Sequence, residues 1–138
     1  PYETTLRLVP EVLSVGIGCR RGTPLEKIRS AFYKVLDENG IDSYAVRELA
    51  SIDIKSDEEG LLSFAKELDI PITFYSSYEL NSLSYDFTKS EFVEKVTGVD
   101  CVSERSAMMT SDELIVKKTA LDGVTIAVGL KNMEVNFE

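Results

Sequence analysis

The sequence predicts an α/β fold: a three-layer α/β/α sandwich around a mixed, mostly parallel sheet, with a C-terminal antiparallel hairpin. Three observations predict it. Short apolar runs alternate with amphipathic segments of helical period, glycine and proline punctuate the junctions, and the tail turns β-rich around an Asp-Gly pair. Residues 1–138 read as a single domain, because no linker, repeat or low-complexity tract divides them.

Each element has its own signal. Residues 12–18 (VLSVGIG) form an apolar run ending in glycines, the pattern of a buried strand in a parallel sheet. A helix follows, with Thr23 placed to cap it, Pro24 at its first position, Glu26 completing a T-x-x-E box and Gly40 to end it. Leu25, Ile28, Phe32, Val35 and Leu36 give that helix one apolar face. The unit then recurs. Residues 44–50 suit a second strand, Ser56 and Glu59 a second capping box, and Leu61, Leu62, Ala65 and Leu68 a second helix face, closed by Pro71. Residues 72–75 suit a third strand, and Ser76 with Glu79 opens a short helix around Leu80 and Leu83. A helix over 91–97 stopping at Gly98, a fourth strand over 99–102, and a helical turn capped by Ser103 through Met108 and Met109 complete the α/β part. Residues 114–119 and 124–130 are then two β-rich runs joined through Asp122-Gly123, a hairpin signal whose register the spacing leaves open.

Charge and composition narrow the chemistry. Twenty-four acidic against 15 basic residues give a net charge of -9, and there is no histidine. Imidazole-based triads and metal sites are therefore excluded within this chain, and any acid or base must be a carboxylate, thiol, amine or phenol. A negative body repels phosphate backbones and anionic membranes, so neither nucleic acid nor membrane is an expected partner. Cys19 and Cys101 match neither a zinc knuckle nor a C-x-x-C pair, which makes a reduced, cytoplasmic protein the expectation. No apolar run approaches the roughly 20 residues needed to span a bilayer. The chain begins Pro1-Tyr2-Glu3 without Met and reads as part of a longer protein, with an N-terminal portion as its partner.

In an open α/β sheet, ligands bind beyond the carboxyl ends of the strands, where helix N-termini converge. The loops expected there are 18–23, 50–56, 75–77 and 102–106, and they carry Arg20, Arg21, Lys55 and Arg105. An acidic protein that places cations on this edge predicts an anion site. In the first loop, GIGCRRGT, Gly16 and Gly18 allow close backbone approach, Gly22 and Thr23 lead into a helix start, and two adjacent guanidiniums suit carboxylates or phosphates. It is not a P-loop, and G-x-G-x-x-x-G is one residue out of the dinucleotide register. A structural turn with solvated arginines is the competing reading. In the second loop, Ser51, Asp53 and Lys55 are the candidates, while Ser56, Asp57 and Glu58 are what a helix start needs and the acidic run around them reads as solvated helix face. Glu104, beside Arg105, is either a cap-region charge or a general base. Cys19 stands near a helix start, which lowers thiol pKa, although a packed, inert thiol is favoured without a histidine base.

The segments LRLVPEVLSVGIGCRRGTP, LASIDIKSDEEGL, PITFYSSYEL, VDCVSERSAM and VKKTALDGVTIAV, in this order over nearly the whole chain, resemble successive motifs of the C-terminal domain of the cobalamin-biosynthesis protein CbiG. A similar domain occurs alone as CobE in the aerobic pathway, and the LRLVP lead-in resembles the junction after the N-terminal portion of CbiG. The resemblance implies cobalt-precorrin-5A hydrolysis, the opening of a lactone on a cobalt-containing tetrapyrrole with release of a two-carbon fragment as acetaldehyde. The substrate bears acetate and propionate arms, which suits the anion edge. The protein is expected to bind no cofactor or metal of its own, because cobalt arrives with the substrate.

On this reading Arg20, Arg21 and Arg105 hold carboxylates, with Ser51, Cys19 and Thr23 lining the same site. Backbone N–H groups near Gly18 and Gly22 meet the developing oxyanion, Glu104 or Asp53 activates water, and Lys55 orients the carboxylate or polarises the carbonyl. Other corrin-pathway enzymes are possible partners. A non-catalytic module that binds or carries corrinoid intermediates is the alternative, and a small nucleotide-phosphate binder is a third reading.

Overall fold

The computed structural model describes residues 11–83 and 102–132. In chain order the elements are β1 (Glu11–Cys19), α1 (Leu25–Glu38), a 3-10 turn (Ser43–Ala45), β2 (Val46–Ile52), a second 3-10 turn (Asp53–Lys55) and α2 (Glu59–Leu68). There follow β3 (Ile72–Tyr75), α3 (Ser77–Asn81), α4 (Val102–Met108), β4 (Glu113–Leu121) and β5 (Val124–Asn132). The strands form one sheet in the order β3-β2-β1-β5-β4. β3, β2 and β1 pair in parallel, and β5 pairs antiparallel with both β1 and β4. Four strands therefore run in one direction and β5 alone runs against them, with the hairpin at one edge.

Strand alternation decides what each face meets. Leu13, Val15 and Ile17 of β1 and Val124, Ile126 and Val128 of β5 enter one core with Ile28, Phe32, Val35 and Leu36 of α1 and Leu61 and Phe64 of α2. Phe32 and Phe64 meet edge to face at 4.9 Å, the preferred aromatic geometry. Outside that contact, Arg29 forks onto Glu67 at 2.6 and 2.9 Å, which holds the Glu67 carboxyl below its usual range. On the opposite face Ser14 and Gly16 of β1 and Ala127 and Gly129 of β5 are buried, and α4 covers them.

That second packing is unusually close. A Cβ on Gly16 would stand 1.8 Å from the Ser103 carbonyl oxygen, and one on Gly129 would stand 2.7 Å from that of Ala107. The helix backbone rests directly on the sheet. Along β5 the register with β1 runs unbroken from Asn132 opposite Glu11 to Val124 opposite Cys19. Leu121 pairs with Val124, so Asp122 (φ 53°) and Gly123 (φ 85°) make a two-residue turn with both central residues left-handed, the form an Asp-Gly pair favours.

Several expectations need correction. Of the strand expected over 99–102 only Val102 is among the described residues, and it opens α4, with Ser103 inside that helix rather than capping it. The helix expected over 91–97 lies outside the described residues. Of three capping boxes only Ser76 with Glu79 forms, with bonds of 3.1 and 2.8 Å. Thr23 turns its hydroxyl back onto the Arg20 carbonyl at 2.6 Å, so Pro24 takes the N-cap position of α1. Ser56 is used in the turn after β2, where its N–H bonds the Asp53 carbonyl, and α2 starts beyond it with Glu58 at the N-cap. Local turns compete for these hydroxyl and amide groups, which the spacing alone does not reveal.

Because the Ser103 carbonyl is backbone, it cannot swing away from an added methyl. Gly16→Ala is expected to destabilise the chain by about 3 kcal/mol in urea unfolding. A loss below about 0.5 kcal/mol, the scale of a neutral surface change, would show that α4 does not rest on β1 as described.

Candidate functional site

β1, β2, β3 and β4 all point their carboxyl ends to one side of the sheet, at Cys19, Ile52, Tyr75 and Leu121. The Asp122-Gly123 turn joins this edge, as do the starts of α1, α2 and α3. Val102 packs with Ile52 and Leu80 and brings the start of α4 to the same side. The loops singled out in the sequence thus meet, with the hairpin turn as a member that the sequence reading did not place there.

The first loop is a tight turn. Arg20 accepts the Thr23 N–H at 3.2 Å, and Gly22 sits at φ 81°. Arg20 is exposed, and no ion pair involving it occurs among the described residues; its side chain runs past the hairpin turn, since a Cβ on Gly123 would stand 4.0 Å from its Cδ. Arg21 is different. Its guanidinium lies 3.1 Å from Asp57 and 3.2 Å from Glu58, and the Gly22 N–H donates to Glu58 Oε1 at 2.9 Å. Glu58, expected on a solvated helix face, is only 3% exposed. Its Oε2 faces Arg21 as an ion pair without the geometry of a hydrogen bond.

The other candidates divide between structural ties and open positions. Gly16 is covered by α4, and Gly18 is half-buried with its carbonyl 3.3 Å from the Thr125 hydroxyl. Ser51 is fully buried and donates to the Ile17 carbonyl at 2.7 Å, linking β2 to β1. Glu104 is fully buried, and its Oε2 accepts the Lys118 N–H at 2.7 Å where β4 bulges between Val116 and Thr119. Arg105 donates to the Leu80 carbonyl at 2.9 Å and ties α4 to α3. Asp53 is exposed and Lys55 half-buried in the turn after β2. The edge therefore presents exposed Arg20 and Asp53, half-buried Lys55 and the exposed but paired Arg21, with Ile54 at 46% and Tyr78 at 83% exposure. Neither apolar side chain was singled out from the sequence; Ile54 stands in the turn after β2 and Tyr78 in the first turn of α3, each among polar residues just beyond a parallel strand, which was the available signal.

Cys19, at the end of β1, packs against the core that α1 and α2 cover. Burial pushes its thiol above the usual range; Glu58 adds to the rise, while Lys55 and a bond with Thr23 oppose it. Tyr75, at the end of β3, is also raised, first by burial and then by Glu48 and Glu79. Thiol and phenol therefore hold their protons at neutral pH. Among the described residues no group of three or more Cys, Asp or Glu side chains is arranged to hold a metal ion. Nor, among the described residues, is any helix long and apolar enough to cross a membrane.

Among the described residues, hollows open at both ends of the strands. One of about 440 Å³ lies between the first turns of α1 and α2, lined by Arg21, Gly22, Asp57, Glu58 and Gly60. Another, of about 210 Å³, lies at the opposite edge beside Val12, Arg47, Thr110 and Lys131, away from the loops described above.

The raised thiol gives a direct expectation. With Cys101 replaced by serine, Cys19 reacts with Ellman's reagent more slowly than free cysteine at neutral pH, and its rate keeps rising as pH passes the ordinary thiol value of 9.0. A reaction faster than free cysteine at neutral pH would show an activated thiolate.

Comparison with known proteins places this architecture. The chain is 41% identical over 125 residues to the cobalt-precorrin-5A hydrolase of Priestia megaterium, covering 88% of this chain and 33% of that protein. It is 31% identical to the cobalt-precorrin-5A hydrolase of Salmonella typhimurium, covering 90% of this chain and 36% of that one. The chain thus spans about a third of the length of these relatives. Among solved structures, that of CobE, a protein from the cobalamin (vitamin B12) biosynthetic pathway, superposes with a TM-score of 0.82 at 30% identity, covering 88% of this chain and 94% of that one. Residues 13–129 match the family described as cobalamin synthesis G C-terminus, and the chain belongs to that family, the C-terminal domain of CbiG.

Proposed function

We propose that the chain works as the C-terminal part of a cobalt-precorrin-5A hydrolase and that its open sheet edge holds the cobalt-tetrapyrrole. One observation carries the reading. The edge combines two cations without an ion pair among the described residues, exposed Arg20 and half-buried Lys55, with two exposed apolar side chains, Ile54 and Tyr78, in a protein of net charge -9. A macrocycle with an apolar face and a rim of carboxylates has the same division. Arginine and lysine pair with the acetate and propionate arms, and the tyrosine ring lies against the macrocycle. The surrounding acidic surface disfavours nucleic acid and other polyanions.

Hydrolysis of the lactone needs a base for water and a partner for the developing oxyanion. Of the two carboxylates considered from the sequence, Asp53 stands open beside Lys55, whereas Glu104 is buried and bonded to β4. We assign Asp53 the base: it takes a proton from water, the water oxygen adds to the lactone carbonyl carbon, and the ring C–O bond breaks as Asp53 returns the proton to the leaving alkoxide; the freed alcohol then becomes acetaldehyde as its C–C bond to the macrocycle breaks, the electron pair and the hydroxyl proton passing to the macrocycle. Lys55 is the nearest cation in sequence and balances charge on the carbonyl oxygen. The Gly22 N–H, expected to meet that oxyanion, is given to Glu58 instead. The metal is cobalt within the substrate. The activity belongs to this chain together with the remaining portion of a full-length hydrolase.

The extent of likeness to CobE, which covers 94% of that chain, favours a second reading in which the domain binds and passes on corrinoid intermediates without turnover. The two separate in one assay. The chain, alone and joined to the remaining portion of the Priestia megaterium hydrolase, is mixed with cobalt-precorrin-5A and acetaldehyde is measured. The catalytic reading predicts acetaldehyde from the joined protein and a loss of about a hundredfold in kcat on Asp53→Asn. Glu104→Gln keeps most of kcat per folded molecule but lowers the Tm. Unchanged acetaldehyde release by Asp53→Asn would remove Asp53 from the mechanism, and a spectral shift without acetaldehyde would favour the carrier.

A further inference from the structure

The first turn of α2 contains a carboxylate that the proposed chemistry does not use. Glu58 is 3% exposed, and both its oxygens reach across to the loop after β1: Oε1 takes the Gly22 N–H at 2.9 Å, and Oε2 faces Arg21 at 3.2 Å. Asp57 takes the other arm of Arg21 at 3.1 Å. The contact is reinforced by backbone packing, since a Cβ on Gly60 would stand 2.5 Å from the Thr23 carbonyl oxygen. The two N-terminal turns are thus fastened together beside the edge.

This fastening divides the labour of two adjacent arginines. Arg21 is paired with Asp57 and Glu58 while its side chain stays 66% exposed, and Arg20, next in the same turn, is exposed beside the hairpin with no ion pair among the described residues. A loop free to move would present either guanidinium in many orientations and lose entropy on gripping a ligand; a loop fixed at Gly22 presents one. We propose that Glu58 is a positioning residue for anion binding: its buried carboxylate clasps the 20–23 turn and so holds Arg20 in the orientation that meets ligand carboxylates. The proposal rests on the functional reading above, because it supposes that the edge binds a polycarboxylate.

The competing possibility has the opposite sign. In it Glu58 is an internal substitute for a ligand carboxylate and blocks Arg21 until substrate displaces it. Removing it would then strengthen binding.

The 138-residue chain titrated with uroporphyrin, an octacarboxylate porphyrin, separates them by fluorescence quenching. The clasp predicts that Glu58→Ala raises Kd about tenfold. Glu58→Gln, which keeps an oxygen for the Gly22 N–H, raises it only about twofold to threefold. Amide exchange at Gly22 is slow in the parent and in Glu58→Gln and about tenfold faster in Glu58→Ala. If Glu58→Ala does not fold, Arg21→Gln replaces it and is expected to raise Kd about threefold, because one arm of the clasp is lost. Unchanged or tighter binding by the Ala or Gln variants, with folding intact, overturns the proposal. If the parent itself does not bind uroporphyrin, the functional reading fails, and the clasp is then decided by Gly22 exchange alone: equal rates in the parent and Glu58→Ala refute it.

Discussion

The direct contact of the α4 backbone with the sheet at Gly16 and Gly129 is the constraint on which the rest depends. No side chain separates helix from strands there, so α4 has one position, with its start beside the ends of β1 and β2. From that position Glu104 reaches the N–H freed by the bulge at Lys118, and Arg105 reaches the Leu80 carbonyl. A buried carboxylate is costly unless hydrogen-bonded, and a bulge leaves an unpaired donor; each compensates the other. Two charged residues that would otherwise suit a site are thereby joined to the framework.

The same economy governs the cations at the strand ends. Four were candidates for holding an anion, and the fold uses two of them internally: Arg21 on Asp57 and Glu58, and Arg105 on Leu80. Arg20 and Lys55 stay available. The strand-end edge is thus less positive than its sequence suggests, and it has Ile54 and Tyr78 exposed beside it. The net charge of -9 is that of the whole sequence, and the edge itself mixes Arg20, Arg21 and Lys55 with Asp53, Asp57 and Asp122.

The fold was legible wherever local pattern and tertiary packing agree. Residues 72–75 were read as a strand and are β3, the Ser76–Glu79 box forms, and Asp122-Gly123 closes the hairpin. Reading failed where one residue had two possible partners. Thr23 and Ser56 fit capping boxes in sequence, yet the preceding turns use them. Val102 belongs to an apolar run that fits a strand, but it is helical because the contact with Gly16 is made by helix backbone. The site was legible as a set of loops, since glycines, cations and helix starts cluster visibly. Which side chains face solvent was not, because the burial of Glu58, Ser51 and Glu104 comes from contacts between residues 14 to 36 positions apart.

The central claim is that the carboxyl-end edge of the parallel strands receives a polycarboxylate macrocycle. Amide chemical-shift mapping of the chain with uroporphyrin tests it most directly. The account predicts the largest shifts at Arg20, Ile54, Lys55, Tyr78 and Gly123, saturating together. Shifts centred on Val12, Arg47, Thr110 and Lys131 at the opposite edge, or none at saturating ligand, would contradict it.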